Sequence, residues 1–305
     1  MNTYIYTGDS NFFKHRYIFC LNMCMGFGCN AAGIIGCRII DSPREKLIAM
    51  ITNNFVPCNG RFPTLIAIIT MFFVGTALGP FQSILSALML TGVIVLGVSM
   101  TLLISRLLSK TILKGLPSTF TLELPPYRKP QVGKVIVRSI FDRTLFVLVR
   151  AIIIAAPAGV ILWVMANIQV GDLSLLSHCA AFLDPFAKLI GLDGYILMAF
   201  ILGFPANEIV VPIIIMSYMA AGSMLELDDL TQLKELLVSH GWTWLTAVCT
   251  MLFSLMHWPC GTTCLTIRKE CGSWKWTALS FLIPTLTGII ICFIVASSVR
   301  LLGLV

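Results

Sequence analysis

Apolar positions along this chain gather into runs on the scale of the roughly 20 residues a helix needs to cross a bilayer. Short polar or basic segments separate them. The first run, Cys20 to Ile40, is interrupted by Gly26, Gly28 and Gly33. Asp41-Ser-Pro-Arg-Glu-Lys46 then predicts a short helix with Ser42 as its cap and Pro43 at the first helical position. That helix ends near Asn53-Asn54. The breaker-rich turn Val56-Pro-Cys-Asn-Gly-Arg61 leads into an apolar span from Phe62 to Leu78, and a long span follows from Phe81 to Leu108. Residues 115–133 read as a linker, because Leu124-Pro-Pro-Tyr-Arg-Lys-Pro130 cannot continue a helix. An amphipathic helix with Lys134, Arg138, Arg143 and Arg150 enters a span ending near Asn167. Beyond it come a short apolar helix with a turn at Pro185, and the apolar stretch Tyr195 to Ala221. An acidic amphipathic helix from Leu225 to His240 and a span from Trp242 to Trp258 follow. A short helix carries Arg268, Lys269 and Glu270, and the last span runs from Trp276 to Leu302. The pattern predicts an all-α polytopic membrane protein.

Composition agrees: 57% of the chain is hydrophobic and 11% charged, against about 25% charged in soluble proteins. The formal net charge of +7 is therefore no nucleic-acid signature. The cations cluster in 38–61, 106–150 and 268–275, which should face the cytoplasm, while 172–193 and 225–240 are net acidic and should lie outside. Both flanks of the segment around Glu208 then share one side, so it should enter and return as a hairpin. Trp274 and Trp276 fit an interfacial aromatic belt. Residues 1–19 are polar and aromatic, without the apolar core of a signal peptide. The eleven cysteines lie mostly in apolar segments and read as reduced thiols.

Candidate chemistry centres on Glu208. A charge in a membrane helix costs about 2.5–3.5 kcal/mol even on the lenient insertion scale, so such residues are usually functional. Gly203, Pro205 and Pro212 bracket it, and Gly26-Phe-Gly-Cys-Asn30 repeats Gly203-Phe-Pro-Ala-Asn207 at Gly, Phe and Asn. Paired, Gly/Pro-interrupted apolar segments point to a transporter's substrate site. A second partial repeat relates Val56-Pro-Cys58 to Trp258-Pro-Cys260, where His257, Cys260 and Cys264 have helical spacing, with Pro259 bending the chain. Thiol, imidazole and carboxylate suit a borderline transition metal such as ferrous iron better than magnesium or calcium.

Each residue also has a bland reading. Glu208 could serve a structural partner, and His257 could bond a carbonyl. Cys29, Cys58, Cys260 and Cys264 could be packing residues, as Cys20, Cys24, Cys37, Cys179, Cys249 and Cys292 are read. Asn30 and Asn207 could simply cap the half-helices after the breaks. Gly133-Lys134 lacks the glycine loop of a phosphate-binding site, and His-Glu-x-x-His is absent.

Met25-Gly-Phe-Gly-Cys-Asn30, Gly203-Phe-Pro-Ala-Asn-Glu208 and His257-Trp-Pro-Cys-Gly-Thr-Thr-Cys264 resemble the permease part of the bacterial ferrous iron transport protein B family. Glu123-Leu-Pro-Pro-Tyr127 and Thr266-Ile-Arg-Lys-Glu-Cys-Gly-Ser-Trp-Lys-Trp276 extend the likeness over 21–305. The resemblance implies two gate-type modules, 20–114 and 134–305, joined by the 115–133 linker, in the bacterial inner membrane. It implies Fe2+ as transported substrate, with Cys29, Glu208, Cys260, Cys58 and Cys264 on its path. A GTP-binding domain or subunit from another chain, small accessory proteins of iron transport and a homo-oligomer are the implied partners. The family's Val-Pro after the first Asn is Ala31-Ala32 here, which should soften the first break. Competing readings are a gate-type transporter of nucleosides or another divalent metal, and a non-transporting remnant or assembly subunit.

Overall fold

The computed structural model describes residues 22–40, 42–74, 81–113, 145–171, 173–219 and 230–304, with residues 133 and 137. The 1–19 segment, the 115–133 linker and the stretch with Lys134, Arg138 and Arg143 lie outside the described residues, as does the start of the predicted acidic helix. Helix α1 covers 22–28 and α2 Asn30–Gly36. Helix α3 is Pro43–Thr52, with the Ser42 hydroxyl accepting from the Glu45 amide as its sequence predicts. Short 3-10 turns at Asn53–Phe55 and Asn59–Arg61 lead to α4, Phe62–Ile68, which continues as a π-helical stretch, Ile69–Val74. Helix α5 is Phe81–Lys110 and α6 Phe146–Asn167. A two-residue ribbon pairs Gln169 with Ser174. Then come α7 (Leu175–Leu189), α8 (Gly194–Leu202), a 3-10 turn at Asn207–Ile209, α9 (Val210–Tyr218) and α10 (Leu230–Ser239). Helices α11 (Trp244–Met256), α12 (Gly261–Cys271) and α13 (Trp274–Leu301) complete the order.

Pro43–Val74, Phe81–Lys110 and Trp274–Leu301 are long and apolar enough to cross a membrane. Two bent pairs, α7 with α8 at 109° and α10 with α11–α12 at 106°, raise the candidate spans to as many as 5. The chain is an all-α polytopic membrane protein. Helices α5 and α13 turn Leu88, Leu102, Leu286 and Ile290 outward, while the broken helices between them are packed inside.

The predicted turn at Pro185 is instead the interior of α7. Pro185 and Ala181 both lie on its exposed face, where a lost backbone bond costs least. The chain turns at Gly191, whose φ of +77° suits glycine and where a Cβ would meet Cys249 Sγ at 2.5 Å.

Two short hairpins sit inside this frame. In the second, α8 and α9 have nine residues each, or about 13 Å at 1.5 Å per residue. That is under half of a bilayer core of ~30 Å. The Tyr218 hydroxyl at the end of α9 donates to Asp193 at the start of α8, and the Tyr195 and Tyr218 rings pack edge-on at 5.5 Å. The segment containing Glu208 therefore returns to its starting side. In the first hairpin, α1 and α2 fold back so that Asn22 Nδ2 donates to Cys37 Sγ at 3.5 Å.

Candidate transport site

Four breaks interrupt the inner helices, and the sequence repeats recur as backbone repeats. Cys29 is extended (φ −155°, ψ 126°) before Asn30 restarts the helix; Ala206 is extended (φ −151°, ψ 123°) before Asn207 does. Ala31-Ala32 does not soften the first break. Its angles match those of the break that contains Pro205, because Cys29 itself, before the helical residues, leaves the helix. Cys58 (φ −86°, ψ 168°) follows Pro57 and Cys260 (φ −61°, ψ 158°) follows Pro259, each opening a new helical turn.

These breaks converge on one junction. The Gly261 amide donates to the Phe204 carbonyl at 2.8 Å, fastening the fourth break to the third. Asn54 Nδ2 donates to the His257 carbonyl at 2.6 Å, fastening the second to the fourth. Asn30 Nδ2 reaches Asn54 Oδ1 at 3.4 Å, and Asn53 Nδ2 donates to the Asn30 carbonyl at 3.2 Å. Gly26 and Gly33 face the Asn53 amide so closely that a Cβ on either would lie 2.8 Å from it. Here the first motif's glycine answers a packing need; Gly28, with open space around it, does not.

The predicted path residues surround this junction. Glu208 is exposed, contrary to the buried position its apolar run suggests. A Cβ on Gly60 would stand 3.0 Å from Glu208 Cγ and 3.2 Å from Oε1, so the carboxylate lies over the second break. Breaking the helix at 203–206 turns this residue off the packed face. Cys58 is buried, Cys260 half-buried and Cys29 exposed; Cys29 directly precedes Asn30, which reaches Asn54 at the junction. Asn207 Nδ2 lies 3.9 Å from Cys58 Sγ, and Cys260 Sγ is 3.2 Å from Thr263 Oγ1. Cys264, one turn into α12, donates to the Pro259 carbonyl at 3.6 Å.

His257 follows its bland reading. Its ring is buried, with Nδ1 against the carbonyls of Ser254 (2.9 Å) and Phe253 (3.1 Å) and Nε2 3.3 Å from the Asn207 side-chain amide. Because α11 ends at Met256, His257, Cys260 and Cys264 straddle a break and do not share one helix face. Among the described residues no three His, Cys, Asp or Glu side chains stand together as a metal cluster. Glu208, Cys58, Cys260 and Cys29 border one junction without closing a cage. An open set of this kind suits an ion that must also leave.

Arg61 is the residue that sequence reasoning missed. Grouped with a basic cytoplasmic cluster by its position, it is instead 1% exposed, at the centre of the junction. Its guanidinium donates to the carbonyls of Asn54 (2.8 Å), Leu255 (2.9 Å) and Trp258 (3.4 Å) and to Asn54 Oδ1 (3.1 Å). The available signal was isolation: Arg61 is the sole charged residue between Lys46 and Arg106.

Two family models match the chain. One, described as nucleoside recognition (Gate), matches residues 148–274; the other, the C terminus of ferrous iron transport protein B, matches 90–142. A Staphylococcus aureus (strain MSSA476) protein named Fe(2+) transporter FeoB is 29% identical over 280 residues, covering 89% of this chain and 39% of that protein. A protein of the same name from Methanocaldococcus jannaschii is 26% identical over 297 residues, 93% of this chain and 41% of the relative. A Porphyromonas gingivalis protein named as a fusion of Fe(2+) transport protein A with Fe(2+) transporter FeoB is 24% identical over 319 residues, 89% of this chain and 36% of the relative. The chain thus spans about two fifths of the length of these relatives. No solved structure matches it.

Proposed function

We propose that this chain is a membrane part of the ferrous iron transport protein B kind and passes Fe2+ through the junction of its four helix breaks. One observation carries the reading: Glu208, Cys58, Cys260 and Cys29, drawn from all four breaks, border the same place. Carboxylate and thiol together suit ferrous iron, and short half-helices ending at one shared junction suit a transported ion. Cys264 and His257 are assigned supporting positions: Cys264 stabilises the bend at Pro259, and His257 orients Asn207. The proposed setting is the bacterial cytoplasmic membrane.

GTP binding is assigned to a domain or subunit other than these 305 residues, which carry no phosphate-cradling loop. The fused relative from Porphyromonas gingivalis supports a small iron-transport protein as a further partner. The gate-model match favours a second reading, a nucleoside carrier. Thiols at the junction argue against it, since a nucleoside offers hydrogen-bonding groups and no soft cation.

The test is ferrous-iron uptake in a transport-deficient cell expressing this chain with a GTP-binding partner, compared at equal membrane abundance. Glu208→Gln and Cys260→Ser should each lower uptake by about 10-fold or more, the scale on which altered metal-site groups act. Cys292→Ser is the control, since its thiol donates to the Cys249 carbonyl within the packed core. Uptake by the two path variants equal to that of the control rules the path out.

A further inference from the structure

Arg61 poses an energetic question that the iron path leaves open. Its charge is buried within a membrane protein, where a lone cation is costly. Among the described residues no carboxylate pairs with it. Its partners are all oxygens of neutral amides: three backbone carbonyls and the Asn54 side chain.

The origin of those carbonyls explains the arrangement. Leu255 lies in the last turn of α11, where its carbonyl would accept from residue 259. That residue is Pro259, which has no N–H. The Trp258 carbonyl belongs to the unwound stretch between α11 and α12, and the Asn54 carbonyl to the turn that ends α3. All three come from the C-terminal ends of interrupted helices, the negative ends of their dipoles. In broken-helix transporters, such ends and unwound carbonyls are where inorganic cations are held.

We propose that Arg61 is a tethered cation: its guanidinium occupies a carbonyl site between the two halves that would otherwise take a free monovalent cation, and so assembles the junction without one. A planar fork serves where a sphere would not, because the acceptors come from two separate breaks and each needs its own N–H. The same charge stands near both thiols of the second and fourth breaks: the Arg61 amide donates to the Cys58 carbonyl at 2.9 Å, and its guanidinium reaches the Trp258 carbonyl, two residues before Cys260. Where iron passes those thiols, a permanent neighbouring cation weakens its hold; that consequence rests on the iron reading, whereas occupancy of the carbonyl site does not.

The experiment is chemical rescue, read by stability, so failure of the iron reading leaves it intact. The full chain is purified in lipid nanodiscs and melted with added guanidinium at about 1–20 mM, far below the molar concentrations that denature. Arg61→Ala should melt below wild type and recover saturably with guanidinium, but not with choline at equal ionic strength. Wild type and Arg300→Ala should not respond; Arg300 also donates to a carbonyl, that of Lys188, but at the surface. Absence of recovery, or equal recovery in wild type, overturns the proposal. Should Arg61→Ala fail to accumulate, membrane abundance of Arg61→Lys against Arg61→Met decides. The lysine variant keeps a tethered cation and should be the more abundant; methionine equal to or above lysine overturns the proposal.

Discussion

The two halves of the molecule break their helices at corresponding places and then fill the breaks with different chemistry. Around the first two breaks, Asn22, Asn30, Asn53, Asn54 and Arg61 are all buried, and all but Asn22 bond to one another or to the opposite half. Around the last two, Glu208 is exposed and Cys260 half-buried, while the Asn207 side chain makes two contacts, at 3.3 Å to His257 and 3.9 Å to Cys58. The first half is chiefly a hydrogen-bonded clamp; the second chiefly presents groups to the junction. Cys58 and Cys29 are the first half's contribution to the proposed path. A repeated backbone therefore does not oblige a repeated function, because the fold needs only the breaks while the path needs side chains within them.

The sharpest way to break this comparison is to remove the paired asparagines. Asn54 donates to the His257 carbonyl, accepts from Arg61 and accepts from Asn30. Asn54→Leu strands a buried carbonyl and one arm of a buried guanidinium. It should cost about 3 kcal/mol, since bonds to charged groups contribute 1.5–3 and stranded partners add to that. Asn207→Leu loses only its contacts to His257 and to the Cys58 thiol, neither of them to a charged group, and should cost about 1 kcal/mol. Denaturant midpoints of both variants check this. Equal losses would mean that the halves share the clamp.

Much of this was legible in the sequence, for identifiable reasons. The breaks showed because glycine and proline punctuate apolar runs regardless of tertiary context. The Ser42 cap and the hairpin around Glu208 followed from local chemistry and from the charges of the flanking segments. Arg61 was misplaced because a linear charge count cannot tell a basic loop from one cation folded inward onto carbonyls. Glu208 was expected among apolar neighbours, since a sequence window does not show which way a broken helix turns its side chains. The role of Asn53 was invisible: it depends on Gly26 and Gly33 approaching it from another hairpin.

Glycines sharpen the comparison at a smaller scale. Gly26→Ala places a Cβ 2.8 Å from the Asn53 amide, which is itself held by Asn30. Overpacking of this kind should cost about 1–3 kcal/mol. Gly28→Ala, two residues on and in open space, should stay within ~0.5 kcal/mol of wild type. Gly60→Ala meets instead the side chain of exposed Glu208, which can swing aside; stability should hold while iron uptake falls. Thermal midpoints separate the three. A stable Gly26→Ala would show that the first-half clamp yields easily.

The smallest effect expected distinguishes the two hairpins by pH. The first is closed by Asn22 and the buried thiol of Cys37, and Asn22 does not titrate. The second is closed by Asp193, in the turn between α7 and α8, which caps the Ile196 amide and accepts from Tyr218, itself an acceptor from Trp242 Nε1 at 2.8 Å. Burial pushes the Asp193 carboxyl above the usual carboxylate range, and the bonds from Tyr218 and Ile196 offset only part of that rise. A raised folded value means that the folded state holds the proton more tightly. The resulting stability is complete below the unfolded carboxylate value of about 3.9 and is lost as pH rises through the folded value. Wild type should therefore lose stability from acid toward neutral pH relative to Asp193→Asn, which keeps a capping oxygen and cannot ionise. Taking the difference between the two proteins at each pH removes contributions from Asp184, Tyr195 and the His240 ring stacked 4.3 Å from Tyr218. The difference in melting midpoint should be smallest in acid and grow toward neutral pH in favour of Asp193→Asn. A deficit of Asp193→Asn that grows toward neutral pH would mean that the charged carboxylate itself closes the hairpin, and would overturn this reading.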